Sequence, residues 1–145
     1  MYKRLVILVA SLLLVAGGAQ AAAEKSKEVG QYVDLQPVAM PIVVDGQLVN
    51  YVFVYVRVNL KTGADVTKIR EKEPFFRDAL VRSGHRTPFV VPGSWEKVDE
   101  AKLVTAMTRE AAAITGPGVV SSVSVMSQSP QKHAMPPRPV KPDHS

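Results

Sequence analysis

Few side chains in this chain could support catalysis, because it contains three histidines and no cysteine. His133 and His144 lie in a proline-rich C-terminal segment, which leaves only His85 in the part that is patterned to fold. An enzyme needs an acid, a base or a nucleophile that converge in one place. A lone His85, between Gly84 and Arg86 in an expected loop, is typical of a solvated surface residue. The lack of cysteine excludes a thiol nucleophile, a Cys-ligated metal and a disulfide.

The acidic residues do not form a catalytic pattern either. Glu71, Glu73 and Asp78 fall on one expected helix together with several basic residues, a pattern that indicates a solvated face with ion pairs one turn apart. The alternative is that Arg77 and Asp78 make a specific contact with a partner. The two C-terminal histidines lack the spacing of a metal site. The sequence therefore predicts a protein that is not an enzyme and has no cofactor or metal.

The charge balance argues against a nucleic-acid partner. The formal net charge is +5, and it falls to +3 if Lys3 and Arg4 are removed with an N-terminal signal. No run of five like charges appears, and no basic stripe alternates with aromatic residues.

The N-terminus has the organisation of a secretory signal peptide. Lys3 and Arg4 precede an apolar run, and small residues lead to a cleavage position after Ala21. We therefore predict a signal peptide over residues 1–21, a linker over 22–30 and a periplasmic mature protein. The alternative is an uncleaved N-terminal anchor in the inner membrane, since no charged residue lies between Leu5 and Ala23.

The region that follows predicts strands. Asp45-Gly46 between two apolar runs indicates a hairpin. The return strand alternates over residues 48–60, and its even positions predict one buried face, interrupted only by Asn50. These expected core residues are Leu48, Val52, Val54, Val56, Val58 and Leu60.

The odd positions of the same strand carry an aromatic row, Tyr51, Phe53 and Tyr55, followed by Arg57. One interpretation is that a second layer covers this row, which would make it core. The other is that the row is accessible and binds a partner or a second copy of the chain, with Arg57 orienting the contact. Both interpretations remain open at the level of sequence.

Two helical segments and a last strand complete the expected domain. In the first segment Pro74 predicts a kink or two helical pieces that meet near Glu73, and Ser83-Gly84 is the expected end. A second helix is expected over residues 98–114, and a strand over 119–126. The apolar positions of the first segment are Val66, Ile69, Phe76 and Leu80, widened by Phe75 and Ala79.

The fold class that follows is α+β. We expect an antiparallel-rich sheet of three or four strands against two helices, in the order β-β-β-α-α-β. The domain should span residues 31–127. Residues 128–145 have the composition of a disordered, proline-rich tail, which could engage another protein.

This order resembles the extracytoplasmic domain of the flagellar basal-body-associated FliL family, which is similar to the stomatin/prohibitin-type fold. The likeness rests on Tyr32-Val33-Asp34-Leu35-Gln36-Pro37, on the strand over 51–58, and on Glu73-Pro74-Phe75-Phe76-Arg77-Asp78-Ala79-Leu80. It implies a non-enzymatic, membrane-associated partner of the flagellar motor that forms rings or supports the stator. The alternative is an envelope scaffold of the same fold with no role in motility.

Overall fold

The structure is a computed structural model that describes residues 30–133. These residues form a four-stranded antiparallel sheet with three helices, which confirms the predicted α+β class. The predicted signal peptide and most of the predicted linker lie outside the described residues, as does the chain beyond His133. No helix within residues 30–133 is long and apolar enough to span a membrane. The elements are β1 (Tyr32–Asp34), β2 (Val38–Val44), β3 (Gln47–Leu60), α1 (Val66–Glu71), α2 (Glu73–Arg86), α3 (Glu100–Thr115) and β4 (Val120–Pro130).

β3 is the central strand, and every other strand pairs with it. β2 pairs with the first part of β3 and β1 with its last part, so both lie along one edge. β4 pairs with residues 52–60 along the other edge. The predicted hairpin joins β2 to β3, and Asp45 and Gly46 both have the positive φ angles that such tight turns require.

The even positions of β3 form the centre of the core, as their alternation predicts. Val52, Val54, Val56, Val58 and Leu60 are all buried. Leu48 was also predicted to be buried, and this was wrong: it is 52% exposed. The pairing register between β2 and β3 shifts after Ile42. Because of this shift, Leu48 near the hairpin no longer points to the same face as the even positions in the rest of the strand.

The first helical segment divides into two helices at Lys72, as Pro74 predicts. Asp65 caps α1 by accepting a hydrogen bond from the Lys68 backbone N–H, 3.2 Å away. Pro74 lies in the first turn of α2, where a missing N–H has no cost. Phe76 is fully buried, whereas Phe75, which was predicted to widen the apolar face, is 63% exposed. The new helix start rotates Phe75 away from the sheet.

The predicted end of α2 at Ser83-Gly84 was wrong, because the helix continues to Arg86. Gly84 is buried inside the helix and packs against Met40 of β2. A Cβ atom at Gly84 would lie 2.7 Å from Met40 Sδ, which is closer than packed atoms tolerate. The glycine thus permits a close approach of helix and sheet and does not terminate the helix.

Replacing Gly84 with alanine tests this close approach. A better helix former contributes up to about 1 kcal/mol, but overpacking a buried site costs about 1–3 kcal/mol. We expect Gly84→Ala to lower the free energy of unfolding in urea by about 1 kcal/mol. A more stable variant would show instead that the Met40 side chain moves aside at little cost.

α3 begins two residues later than predicted. Val98 forms an isolated antiparallel bridge with Val90, and Asp99 caps the helix through the backbone N–H of Lys102, 3.1 Å away. The buried residues Leu103, Met107 and Ala111 place the helix over the sheet, as their spacing predicts.

β4 continues to Pro130, so the predicted domain boundary at residue 127 was too early. The Gln131 backbone N–H donates to the Tyr51 carbonyl, 2.8 Å away, and Lys132 bonds to the Asn50 side chain. Residues 128–132 therefore belong to the folded domain, although their composition resembles that of the segment that follows.

Candidate interaction surface on the open face of the sheet

The helices cover only one face of the sheet. Each of the three helices contributes buried apolar residues to the core cluster that contains the even positions of β3 from Val52 to Leu60. Among residues 30–133, no element packs over the opposite face, which we call the open face. It carries Tyr32, Asp34, Tyr51, Phe53, Tyr55, Arg57, Asn59, Ser122, Ser124, Ser127 and Ser129.

The aromatic row runs along the centre of the open face. Phe53 and Tyr55 are each 43% exposed, and Tyr51 is partly buried. These three residues are the aromatic strip. Among the described residues, no second layer covers the strip, so the rings of Phe53 and Tyr55 are accessible.

The residues beside the strip explain its exposure. Phe53 lies between Ala39 of β2 and Ser129 of β4, and Tyr55 pairs with Ser127. Cross-strand neighbours bury each other only when both side chains are large enough to meet. Small neighbours therefore leave the rings of Phe53 and Tyr55 standing above the sheet.

Arg57 lies beyond the strip and is held by its own neighbours. Its Nε and Nη2 donate to the two carboxylate oxygens of Asp34, at 2.6 and 3.0 Å. Its guanidinium also lies 3.7 Å from the centroid of the Tyr32 ring. The hydrogen bond to Asp34 raises the pKa of Arg57 above its ordinary value. Arg57 thus presents a fixed, locally neutralised ion pair beside the aromatic strip.

Hydroxyl and amide groups form the remaining border of the open face. The Asn59 side-chain amide donates to the hydroxyl oxygens of Ser122 and Ser124, both at 3.0 Å. The open face therefore has an apolar centre with a polar border that offers both donors and acceptors.

Arg77 and Asp78, the other predicted contact residues, do not lie on the open face. They belong to α2, in the helical layer on the other side of the sheet. Arg77 Nε is 3.4 Å from a carboxylate oxygen of Glu73, and Asp78 is 3.3 Å from Arg82. Of the six predicted contact residues, four therefore lie on β3, and Arg77 and Asp78 lie on α2.

Sequence reasoning missed Tyr32 and Asp34, although both are needed to hold Arg57. Their alternation around the buried Val33 was the available signal, since it places them on the same face of β1. Only the pairing register shows that Asp34 lies directly opposite Arg57. Without that register, Arg57 was expected to be free to orient a partner.

His85 lies on the surface, as predicted. His85 is exposed, and its Nδ1 lies 2.9 Å from the Val81 carbonyl oxygen within α2. Within residues 30–133, no group of three histidine, aspartate or glutamate side chains is arranged to hold a metal ion.

Comparison of the chain with protein-family models, with curated proteins and with solved structures found no significant match. The class of protein is therefore described by the fold and by the open face of the sheet. Residues 30–133 form a small α+β domain with one helical layer, and the other face of its sheet carries an exposed aromatic strip.

Proposed function

We propose that this protein is an exported, non-enzymatic interaction module that binds a protein partner through its open face. The observation that carries the proposal is the exposure of Phe53 and Tyr55 side by side on the most extensively paired strand of the sheet. Tyrosine and phenylalanine supply a large contact area with few rotatable bonds, so they lose little entropy on binding. The partner surface should be apolar at its centre, with hydrogen-bonding groups around it.

The rigidity of the strip supports this role. Each aromatic residue lies on β3, which pairs with strands on both edges, so its backbone is fixed before any partner arrives. A backbone that is already ordered before binding lowers the entropy cost of association. The bidentate contact between Arg57 and Asp34 likewise holds one end of the surface in place. Aromatic anchors inside a polar border are also the arrangement of binding hot spots.

The proposed location rests on the predicted signal peptide over residues 1–21, and the proposed partner rests on the resemblance to the FliL family. We propose a periplasmic protein that contacts flagellar motor components and forms homo-oligomers. Contact with the inner membrane would require an uncleaved N-terminal segment. Support comes from the motifs over residues 32–37, 51–58 and 73–80, and from the agreement between the element order and the one that the resemblance implies.

A photoreactive crosslinker in place of Tyr55, used in the cells that make the protein, tests both parts of this proposal. We expect Tyr55→p-benzoylphenylalanine to capture stator or ring components, identified by mass spectrometry together with the mature N-terminus. The matched control is the same substitution at Thr108, an exposed position of α3 in the helical layer, which should capture none of them. Capture of unrelated envelope proteins alone would contradict the motor role and favour a general scaffold.

Tyr55→Ala, assayed by co-purification of the partners that the crosslink identifies, separates a role of Tyr55 in binding from a role in folding. Because Tyr55 is 43% exposed, its loss should change the free energy of unfolding by no more than about 0.5 kcal/mol. Loss of a central aromatic contact typically costs 2 kcal/mol or more of binding, roughly a thirtyfold weaker complex. We therefore expect assembly to be lost while the fold is kept. Equal loss of both would show that the strip serves the fold.

A further inference from the structure

The helical side of the domain carries a second feature that the proposed function does not use. A groove of about 430 Å³ lies between the last turn of α2 and the part of α3 from Ala101 to Arg109. Its volume falls within the range of small-ligand sites, roughly 300–1,000 Å³. We call it the basic groove. It is lined in part by the buried Phe89 and by Ala106, which give it an apolar interior.

Three cationic side chains surround this apolar interior. Arg86 comes from the end of α2, while Lys102 and Arg109 come from α3, and no acidic residue belongs to the lining. Lys102 has a weak partner in Asp99, 3.8 Å away. Within residues 30–133, no carboxylate lies within 4.0 Å of Arg86 or Arg109. Like charges gathered around an apolar surface repel each other, and a bound anion would relieve that repulsion.

A serine hydroxyl offers the basic groove a further hydrogen-bonding group. Ser83 is only 7% exposed and lines the basic groove. Its hydroxyl makes no hydrogen bond to another described residue, whereas every fully enclosed polar side-chain atom of these residues has a partner. The Ser83 hydroxyl therefore reaches solvent through the groove, where it can donate a hydrogen bond to a bound group.

We propose that the basic groove binds a small amphipathic anion, with a carboxylate or phosphate head on a short apolar body. The body packs against Phe89 and Ala106 and removes their apolar surface from water. The head group accepts hydrogen bonds from Arg86 and Arg109, whose planar guanidinium groups match both kinds of oxyanion. Ser83 supplies a further donor.

Amide chemical shifts of the protein expressed from the full 145-residue sequence test the proposal. The probes are sodium octanoate and monooctyl phosphate, which distinguish the two head groups, with octan-1-ol as the neutral control. We expect one or both anions to shift the amides of Phe89, Ala101, Thr105 and Ala106. Octan-1-ol should bind at least about tenfold more weakly, as expected when charge-assisted hydrogen bonds are missing.

A matched pair of double variants assigns the effect to the groove. Arg86→Gln with Arg109→Gln should weaken binding of the anion about tenfold or more. Arg70→Gln with Arg82→Gln removes the same charge outside the groove and should leave binding within about twofold, since these exposed residues do not line it. Equal binding of octan-1-ol, equal weakening by both variants, or no shift with either anion would overturn the proposal.

Discussion

Phe76→Ala should destabilise the domain more than any other change considered, by about 3–5 kcal/mol. Phe76 is fully buried within the core cluster that joins α2 to the sheet. Its removal forfeits the transfer free energy of the ring and leaves a cavity that the surrounding core side chains cannot fill without moving. Urea unfolding of the variant should show a much lower midpoint with an unchanged slope.

The neighbouring phenylalanine provides the matched control. Phe75 is 63% exposed, so Phe75→Ala should change the free energy of unfolding by no more than about 0.5 kcal/mol. Both variants remove the same atoms from adjacent positions of α2, and only the burial differs. Equal effects of the two substitutions would contradict the placement of α2 on the sheet.

Asn50→Ala should lower the free energy of unfolding by about 2–4 kcal/mol, because it leaves several buried polar groups without partners. Asn50 is 3% exposed on the core face of β3. Its amide nitrogen donates to the carbonyl oxygens of Trp95 and Lys132, both at 2.8 Å. Its oxygen accepts from the backbone N–H groups of Tyr51 and Lys132, at 2.9 and 3.2 Å.

The same substitution should release the end of β4. Because Asn50 holds Lys132 through two hydrogen bonds, its loss should increase amide hydrogen exchange at Gln131 and Lys132. Asn59→Ala is the control, since Asn59 lies on the open face and bonds only to serine hydroxyls. Asn59→Ala should lower the free energy of unfolding by about 0.5–1 kcal/mol and leave amide hydrogen exchange at Lys132 unchanged.

Asn50→Asp separates the hydrogen bonds that the Asn50 side chain donates from those that it accepts. The introduced carboxylate keeps the acceptors but faces the carbonyl oxygens of Trp95 and Lys132, so its pKa in the folded state should rise. The free energy of unfolding of the variant should therefore fall further below that of the unsubstituted protein as the pH rises above about 4, the ordinary pKa of aspartate. A difference in the free energy of unfolding that does not depend on pH would show that the fold does not need the amide donors of Asn50.

The local pattern was sufficient to predict most of the secondary structure. The period-two alternation of β3 and the three- and four-residue spacings of α3 depend only on which side chains avoid water, so they are visible in a single chain. Pro74 predicted the division between α1 and α2, because a proline ring clashes inside a helix but fits its first turn.

Two of the errors arose where a distant part of the chain overrides local preference. Gly84 is a usual helix terminator, yet here it remains inside α2 because Met40 of β2 occupies the space that a side chain would need. Residues 128–132 resemble a tail by composition, yet pairing with β3 and the Asn50 side chain orders them. No local signal identifies partners that lie more than 40 residues away in the chain.

The sequence by itself determined that Tyr51, Phe53 and Tyr55 share one face of β3, because strand geometry sends alternate side chains to opposite faces. It also determined that a polar residue, Asn50, interrupts the other face. Whether the aromatic face is covered was decided only by the tertiary structure. All three helices pack on the opposite face, and the small residues of β2 and β4 leave the rings of Phe53 and Tyr55 accessible, because burial depends on which side chains meet across the sheet.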